Sequence, residues 1–425
     1  MVVKATVGDY VTLQRGTTYK GNLVGKPGPA LLGLGSIHPG GGFREGDYKT
    51  YGGECPPKLM LFPGDLFVSL KGATKDGKMI GSVARVPSSV PSGRLTQDTV
   101  KLEFRDSGTE VKDFIYWILR TPQYRDYCDG HATGSAVVAL SRDDFLAYPV
   151  PSLTATRKRI VELLETLDSK IELNRRMNAT LEAIARAHFE SWLVDFDLVR
   201  ARQLTGMDEA DSAQSPTAFG NPKLGPIPEG WQIRSLDEVA HYLNGLALQK
   251  YPPGDGPTLP VIKIAQLRKG TTDGSDRCNT ELPAPYIVQD GDVLFSWSGT
   301  LEVELWCGGV GALNQHLFKV TSSEFPKWFY YLWTLHHLNE FRHIAASKAT
   351  TMGHIQRGHL TAAKVLTPPK PLLDEMTRTM SPLIEQIIAN RIQSRGHADL
   401  RDTLLARLLS GELPVRDGER FVGVN

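Results

Sequence analysis

Phosphate binding is the first chemistry that residue spacing suggests here. The stretch "GATKDGKM" (72–79) follows the phosphate-loop pattern until Met79, which stands where a Ser or Thr hydroxyl must hold magnesium. The next residues, "IGSVARV", form a β-type run and not the helix whose amino terminus should face phosphate, so a hairpin turn is expected. The glycine-rich "GLGSIHPGGG" (33–42) has no amphipathic helix after it and reads as a loop. "DEAD" (208–211) lies in a polar stretch without the apolar strand that would aim its carboxylates at a metal. No Pro-Pro pair follows an asparagine, so the Asn-Pro-Pro-aromatic tetrapeptide of adenine methyltransferases is missing. His336 and His337 sit in the aromatic run "YYLWTLHHL", where packing accounts for them better than a metal does. Cys55, Cys128, Cys278 and Cys307 have no paired spacing, which suggests neither a zinc site nor a disulfide framework. With no catalytic constellation, a binding or adaptor protein is the leading class.

Charge is balanced, 48 Lys and Arg against 47 Asp and Glu, whereas nucleic-acid domains are often strongly basic. Contact with a polyanion would therefore rest on local patches. The candidates are Lys71, Arg85 and Arg94 in the first part of the chain, and Lys263, Gln266, Arg268 and Lys348 in the second.

The elements that must position these residues are written twice. "GDLFVSLKG" (64–72) and "GDVLFSWSG" (291–299) are nearly the same strand. Around them the landmarks keep one order. A segment closing on glycine ("VTLQRG", "VAHYLNG") precedes β-like runs ("LLGLGSI", "VIKIAQL"). After the shared strand come segments sharing Gln97 and Gln315, then aromatic helices ("FIYWIL", "WFYYLW"), then "HATGSAVV" and "KATTMGHI", then prolines.

Beyond the prolines the period changes. Ile160, Leu164, Leu167, Ile171, Asn174, Asn178, Leu181, Ala185, His188 and Trp192 alternate steps of four and three, the seam of a coiled-coil helix roughly 60 Å long. Ile384, Ile388, Ile392, Leu400, Leu404 and Leu408 outline a second, less regular helix, with Gly396 interrupting it and Gly411 a stop; Ser381 and Pro382 fit a start, the alternative being an earlier start with a kink. Buried asparagine in such a seam fixes register or partner, which singles out Asn174 and Asn178. Residues 201–227 read as a flexible linker that lets the second half turn back. The expected organisation is a domain at 1–151, a helix at 152–200, the linker, a second domain at 228–368 and a helix with tail at 369–425. The fold class is α+β, two similar domains separated by two long antiparallel helices with pseudo-twofold repetition. No apolar run approaches a membrane span, which predicts a cytoplasmic protein.

"RKRIVELLETLDSKIELNRRMNATLEAIARAHFESWLVDFDLVRA" (157–201) closely resembles the central region of type I restriction-modification specificity subunits, and "LGPIPEGWQIRSLDEVA" (224–240) resembles the opening of their second target-recognition domain. "GDVLFSWSGT", "NQHLFKV" and "LLARLLSGEL" are also similar to family signatures. The resemblance implies a non-catalytic chain that recognises a split, asymmetric sequence in double-stranded DNA, one half per domain. It implies two methyltransferase subunits docked on the helices, with restriction subunits joining them. S-adenosylmethionine, ATP and magnesium are then expected in those partners, with no cofactor or metal here. Thr133, Ser298, Thr350 and His354 join Gln97 and Gln315 as candidates for DNA contact, and the seam residues, Leu181 and Trp192 included, as candidates for helix pairing and docking. The competing reading is a two-headed protein-binding scaffold that makes no use of DNA.

Overall fold

A computed structural model describes residues 5–46, 48–72, 77–106, 108–134, 138–197, 227–347 and 353–408. The chain forms two compact units, Met1–Asp168 with Asp399–Asn425, and Ser169–Ala398.

The first unit opens with α1 (Val7–Tyr10) and β1 (Val11–Arg15), followed by β2 (Ala30–Leu32), β3 (Met60–Leu61), β4 (Leu66–Ser69), β5 (Val83–Arg85), β6 (Gly93–Leu95) and β7 (Thr99–Phe104). The antiparallel sheet β1-β7-β4-β5 lies beside a small sheet β2-β6-β3, in which β2 and β6 run parallel. Helices α2 (Thr109–Ile118), α3 (Pro122–Gly130) and α4 (Arg142–Ala147) come next.

In β4 every residue is buried because the two faces serve two cores. Leu66 and Val68 join the helical core with Phe114, Trp117 and Tyr124, while Phe67 joins the smaller core with Leu32, Ala84 and Leu95. The turn before it needs Gly64, whose φ of 86° lies in the left-handed region. Asp65 then accepts the Phe62 N–H at 2.9 Å and pairs with Lys101 at 2.9 Å.

The second unit repeats this plan. Its elements are β8 (Gln232–Ser235), α6 (Leu236–Val239), β9 (His241–Asn244), β10 (Thr258–Ile262), α7 (Ile264–Lys269), β11 (Arg277–Asn279), β12 (Ile287–Val288), β13 (Val293–Ser296), β14 (Val303–Leu305), β15 (Gly311–Leu313), β16 (Leu317–Thr321), α8 (Lys327–Ser347), α9 (Arg357–Ala362) and β17 (Lys364–Thr367). The sheet β9-β16-β13-β14 matches β1-β7-β4-β5, and the parallel pair β10-β15 matches β2-β6. Gly291 has φ 87°, and Asp292 accepts the Gln289 N–H at 2.8 Å and pairs with Lys319 at 2.8 Å. The repeated "GD" is thus one turn and one buttress made twice. One β-like run departs from expectation: "VIKIAQL" is strand only to Ile262 and helix from Ile264, where Gln266 Oε1 accepts the Lys263 N–H at 3.3 Å and caps the helix start.

Helix α5 (Ala155–Phe189), extended by a π-turn over Glu190–Val194, and helix α10 (Lys370–Leu408) both contribute to both units. In α5 the expected seam is the buried side: Ile160, Leu164, Leu167, Asn174, Asn178 and Ala185 are buried, and Ile171, Leu181, His188 and Trp192 half-buried. Helix α10 starts at Lys370, the earlier of the two starts that the sequence leaves open, so Pro382 lies inside it, and Gly396, read as an interruption, is helical too. The rising steps of four through Ile388 and Ile392 follow the wrong row. The buried row is Met376, Met380, Ile384, Ile387 and Asn390, with Ile388 half-buried beside it. Leu404 is buried in the first unit's core, while the side chain of Leu408, most of the linker and Gly411 fall outside the described residues.

Candidate nucleic-acid interface

In the second unit four backbone segments converge at one end of the main sheet: the end of β9, the β13–β14 loop, the β15–β16 turn and residues 353–356. Gly245 N–H donates to Leu317 O at 3.0 Å, Leu246 bridges Asn314, and Asn314 N–H donates to Ile262 O at 3.2 Å. A Cβ on Gly245 would lie 2.2 Å from Asn314 O, so glycine is the residue that permits this approach. Gly299 N–H donates to Gly353 O at 2.8 Å and Ile355 N–H to Trp297 O at 3.0 Å, fixing the loop beside it.

These segments assemble an aromatic surface. Trp297 Nε1 donates to Asn244 Oδ1 at 2.9 Å, and its ring lies 5.9 Å from that of His316 and 6.4 Å from that of His354. Ser298 Oγ and His316 Nδ1 are in hydrogen-bond contact at 3.0 Å, and Gln315 Nε2 lies 3.4 Å from His316 Nε2. Aromatic faces, an imidazole and carboxamides together can stack on bases and exchange hydrogen bonds with their edges.

The first unit builds the same corner with other side chains. Gly16 N–H donates to Thr99 O at 3.0 Å, Thr17 bridges Thr96, and Thr96 N–H donates to Leu32 O at 3.0 Å. A Cβ on Gly16 would lie 1.8 Å from Thr96 O. The β6–β7 turn presents Gln97 and Asp98 where the second unit has Gln315 and His316. Lys71 and Thr133 flank it through bridges to Ala139, and Arg15 stands where the second unit has Asn244.

Of the sequence candidates, Lys71, Gln97, Thr133, Ser298, Gln315 and His354 therefore meet at these two corners, although Ser298 is 3% exposed and lies against His316. Others have internal duties. Arg85 pairs with Glu165 of α5 at 2.7 Å and with Asp113 at 3.0 Å, and stacks over Tyr116. Arg94 is 4% exposed, bonded to Thr17 Oγ1 and the carbonyls of Thr18 and Glu54, and stacked on Tyr51. Gln266 is buried as a cap, and exposed Lys263 pairs with Asp276. Arg268 is exposed and reaches Glu302 at 3.2 Å. Lys348 and Thr350 lie outside the described residues. Sequence reading missed Asn244, Trp297 and His316; the signal available for them was their place at the ends of the duplicated strands.

His336 and His337 are packing residues. Burial holds both below the usual imidazole range, and His337 Nε2 contacts Lys364 O at 2.9 Å. Among the described residues no group of His, Cys, Asp and Glu could hold a metal ion, and no helix is long and apolar enough to cross a membrane.

Between the helix segments of the second unit runs an asparagine network. Asn174 Nδ2 donates to Asn390 O, Gln393 Oε1 and Ser394 Oγ at 3.3, 2.9 and 3.2 Å, and Asn178 Nδ2 donates to Ile387 O at 3.2 Å. Asn390 Nδ2 donates to Asn178 Oδ1 at 2.8 Å. Asn174 and Asn390 stand 216 positions apart, as do Asn178 and Ser394, so exchanging the helices turns the Asn174–Ser394 contact into the Asn390–Asn178 contact. The segments run antiparallel about this point. About a quarter-turn round α5 from the asparagine row, Leu173 is 51% exposed and Met177 and Ile184 each 40%, an apolar stripe on one helix face.

Comparison with known proteins agrees with this architecture. Residues 228–394 match the family described as Type I restriction modification DNA specificity domain. The chain is 25% identical over 320 residues to the type I restriction enzyme MjaIX specificity subunit of Methanocaldococcus jannaschii, covering 72% of this chain and 70% of that one. It is 22% identical over 308 residues to the HindI specificity subunit of Haemophilus influenzae, covering 61% of this chain and 67% of the relative. The crystal structure of a type I restriction-modification S subunit from M. genitalium shares the fold, with a TM-score of 0.55 at 14% identity over 96% of this chain and 95% of that one. In its duplicated α+β unit, its two long helices and these matches, the chain is similar to type I restriction-modification specificity subunits.

Proposed function

We propose that this chain selects the DNA sequence on which a type I restriction-modification complex acts, each unit reading one half of a split, asymmetric target. The observation that carries this reading is the pair of corners. One backbone scaffold appears in both units, yet it presents Arg15, Lys71, Gln97 and Asp98 in one and Asn244, Trp297, Gln315 and His316 in the other. Different side chains on one frame suit two different half-sites, since the major groove distinguishes all four base pairs by their hydrogen-bonding edges.

In this reading the chain is non-catalytic. It works in the cytoplasm, where two methyltransferase subunits and the ATP-dependent restriction subunits join it and bring S-adenosylmethionine, ATP and magnesium chemistry. The apolar stripe Leu173–Met177–Ile184 supports docking of a methyltransferase subunit on α5, because such a face is unfavourable in water until covered.

The test is co-expression with the adjacent methyltransferase gene and single-molecule sequencing of methylated adenines. A split asymmetric motif that disappears when this chain is deleted supports the reading. Methylation that persists unchanged, with this chain purifying free of the methyltransferase, refutes it in favour of a protein-binding scaffold.

A further inference from the structure

We propose that the two-residue turn joining the small sheet to the main sheet, Gln97–Asp98 in the first unit and Gln315–His316 in the second, is the base-reading element of each unit. The contrast between Asp98 and His316 then makes the two half-sites unequal. This inference rests on the DNA-recognition reading above and deepens it.

Rigidity is the first argument. Each turn is tied at both ends by the same bonds: Thr96 N–H to Leu32 O and Thr99 N–H to Thr96 O in one, Asn314 N–H to Ile262 O and Leu317 N–H to Asn314 O in the other. Each is clamped from the side by a glycine that admits no Cβ, Gly16 or Gly245. A reading side chain must be held to within a fraction of an ångström, and these bonds restrain each turn from two sheets at once.

Chemistry is the second. Asn314 and Thr96 are buried at 6% and 8% exposure, while the next two residues of each turn face outward, Gln97 exposed and Asp98, Gln315 and His316 half-exposed. Among the described residues neither Gln97 nor Asp98 has a side-chain hydrogen bond to give up. Of the paired corner positions, Arg15 and Asn244, Lys71 and Ser298, Gln97 and Gln315, Asp98 and His316, only the glutamine is the same in both units. A carboxamide can donate to and accept from one base edge at once, the pattern adenine presents through N6 and N7. The neighbouring residue then diverges in kind. The Asp98 carboxylate accepts, which suits an exocyclic amino group such as cytosine N4, whereas an imidazole can offer an N–H to an acceptor edge such as guanine N7 or O6. His316 is oriented for such a task by Ser298 on one side and the Trp297 ring on the other.

The experiment uses the specificity chain purified in complex with its methyltransferase subunits and selects bound duplexes from a randomised library. Asp98→His and His316→Asp are compared with the unaltered complex. The expected result is a base preference changed by about tenfold or more at one or two positions, confined to one half for Asp98→His and to the other half for His316→Asp. Gln97→Ala and Gln315→Ala should each relax a position in the same half as their neighbour. Variants that assemble and select the unaltered motif at every position overturn the inference while leaving the recognition role standing. So does a variant that assembles and selects nothing, since the turn would then be structural. An unaltered complex that selects no split motif overturns the recognition role and this inference together. Should either exchange prevent assembly, Asp98→Asn and His316→Asn are read by the same criteria.

Discussion

The two units anchor their sheets to the long helices with ion pairs of opposite polarity. In the first unit the arginine is on the strand: Arg85 of β5 reaches Glu165 of α5 and Asp113 of α2. In the second the arginine is on the helix: Arg391 of α10 reaches Glu304 of β14 at 3.2 Å and Glu182 of α5 at 2.9 Å. Each arrangement has one guanidinium serving two carboxylates at a half-buried junction between sheet and helix. The polar link is therefore retained and its sign is not. A sheet edge carrying Arg85 would be unpaired against a helix carrying Arg391, with like charges facing, so each sheet is matched to its own stretch of helix.

The most damaging way to break the likeness is to fill its shared clamp. Gly16→Ala and Gly245→Ala each push a Cβ onto a backbone carbonyl that cannot move aside, and each should cost about 3 kcal/mol or more in thermal or denaturant unfolding. Equal, modest losses below about 1 kcal/mol would mean that the corner is looser than its hydrogen bonds indicate. Next come the opposed arginines. Arg85→Met and Arg391→Met each strand two carboxylates and should cost about 2–3 kcal/mol, the full buried-pair penalty being reduced because the arginine side chains are 24% and 29% exposed. Glu165→Gln or Glu182→Gln should cost about 1 kcal/mol, the arginine keeping a second partner. A carboxylate change as costly as the arginine change would show that the shared cation is not the organising group.

Asn174→Leu should cost about 1–2 kcal/mol, because the Asn390 carbonyl and the Ser394 hydroxyl lose a buried donor. It should disturb helix pairing or subunit assembly and leave the selected DNA sequence alone; an altered sequence with normal assembly would refute that division of labour. The smallest effect is a pH dependence. The Arg395 guanidinium, 2.7 Å from Asp290, holds that carboxyl below its ordinary value of 3.8. Its folded value is depressed, so the stability it adds is present above about pH 3.8 and is lost as the pH falls through the lower folded value. Asp290→Asn should therefore lower stability at pH 6 by less than about 1 kcal/mol, solvent screening reducing the pair's worth, and by progressively less as the pH falls through the folded value. A difference that stays constant as the pH is lowered would assign the loss to packing.

Much of this plan could be read from residue order, and the failures have physical reasons. The doubled "GD" strands, the glycine-ended segments and the seam of α5 were visible because each is a local pattern: a left-handed turn, a close approach, a 3.5-residue period. Helix α10 was harder. Pro382 has the look of a first-turn residue, and Ile388 and Ile392 carry more hydrophobicity than Met376, Met380 and Asn390, although the latter row faces the core. At the corners, Gln97 and Gln315 stood out as the shared residue, whereas Arg85 and Arg94 looked available. What removes them is distant in sequence, Glu165 on α5 for one and Tyr51 with Thr17 for the other, and no local pattern announces such partners.

The way α10 is divided between the units has a consequence for synthesis. The first unit's core includes Leu404 and Leu405, and its Asp168 pairs with Arg401 at 2.5 Å, so its contacts are complete only once residues beyond 398 have left the ribosome. The second unit ends at Ala398. Translation at about 5–20 residues per second thus supplies the last contacts of the half that emerges first after those of the half that emerges second.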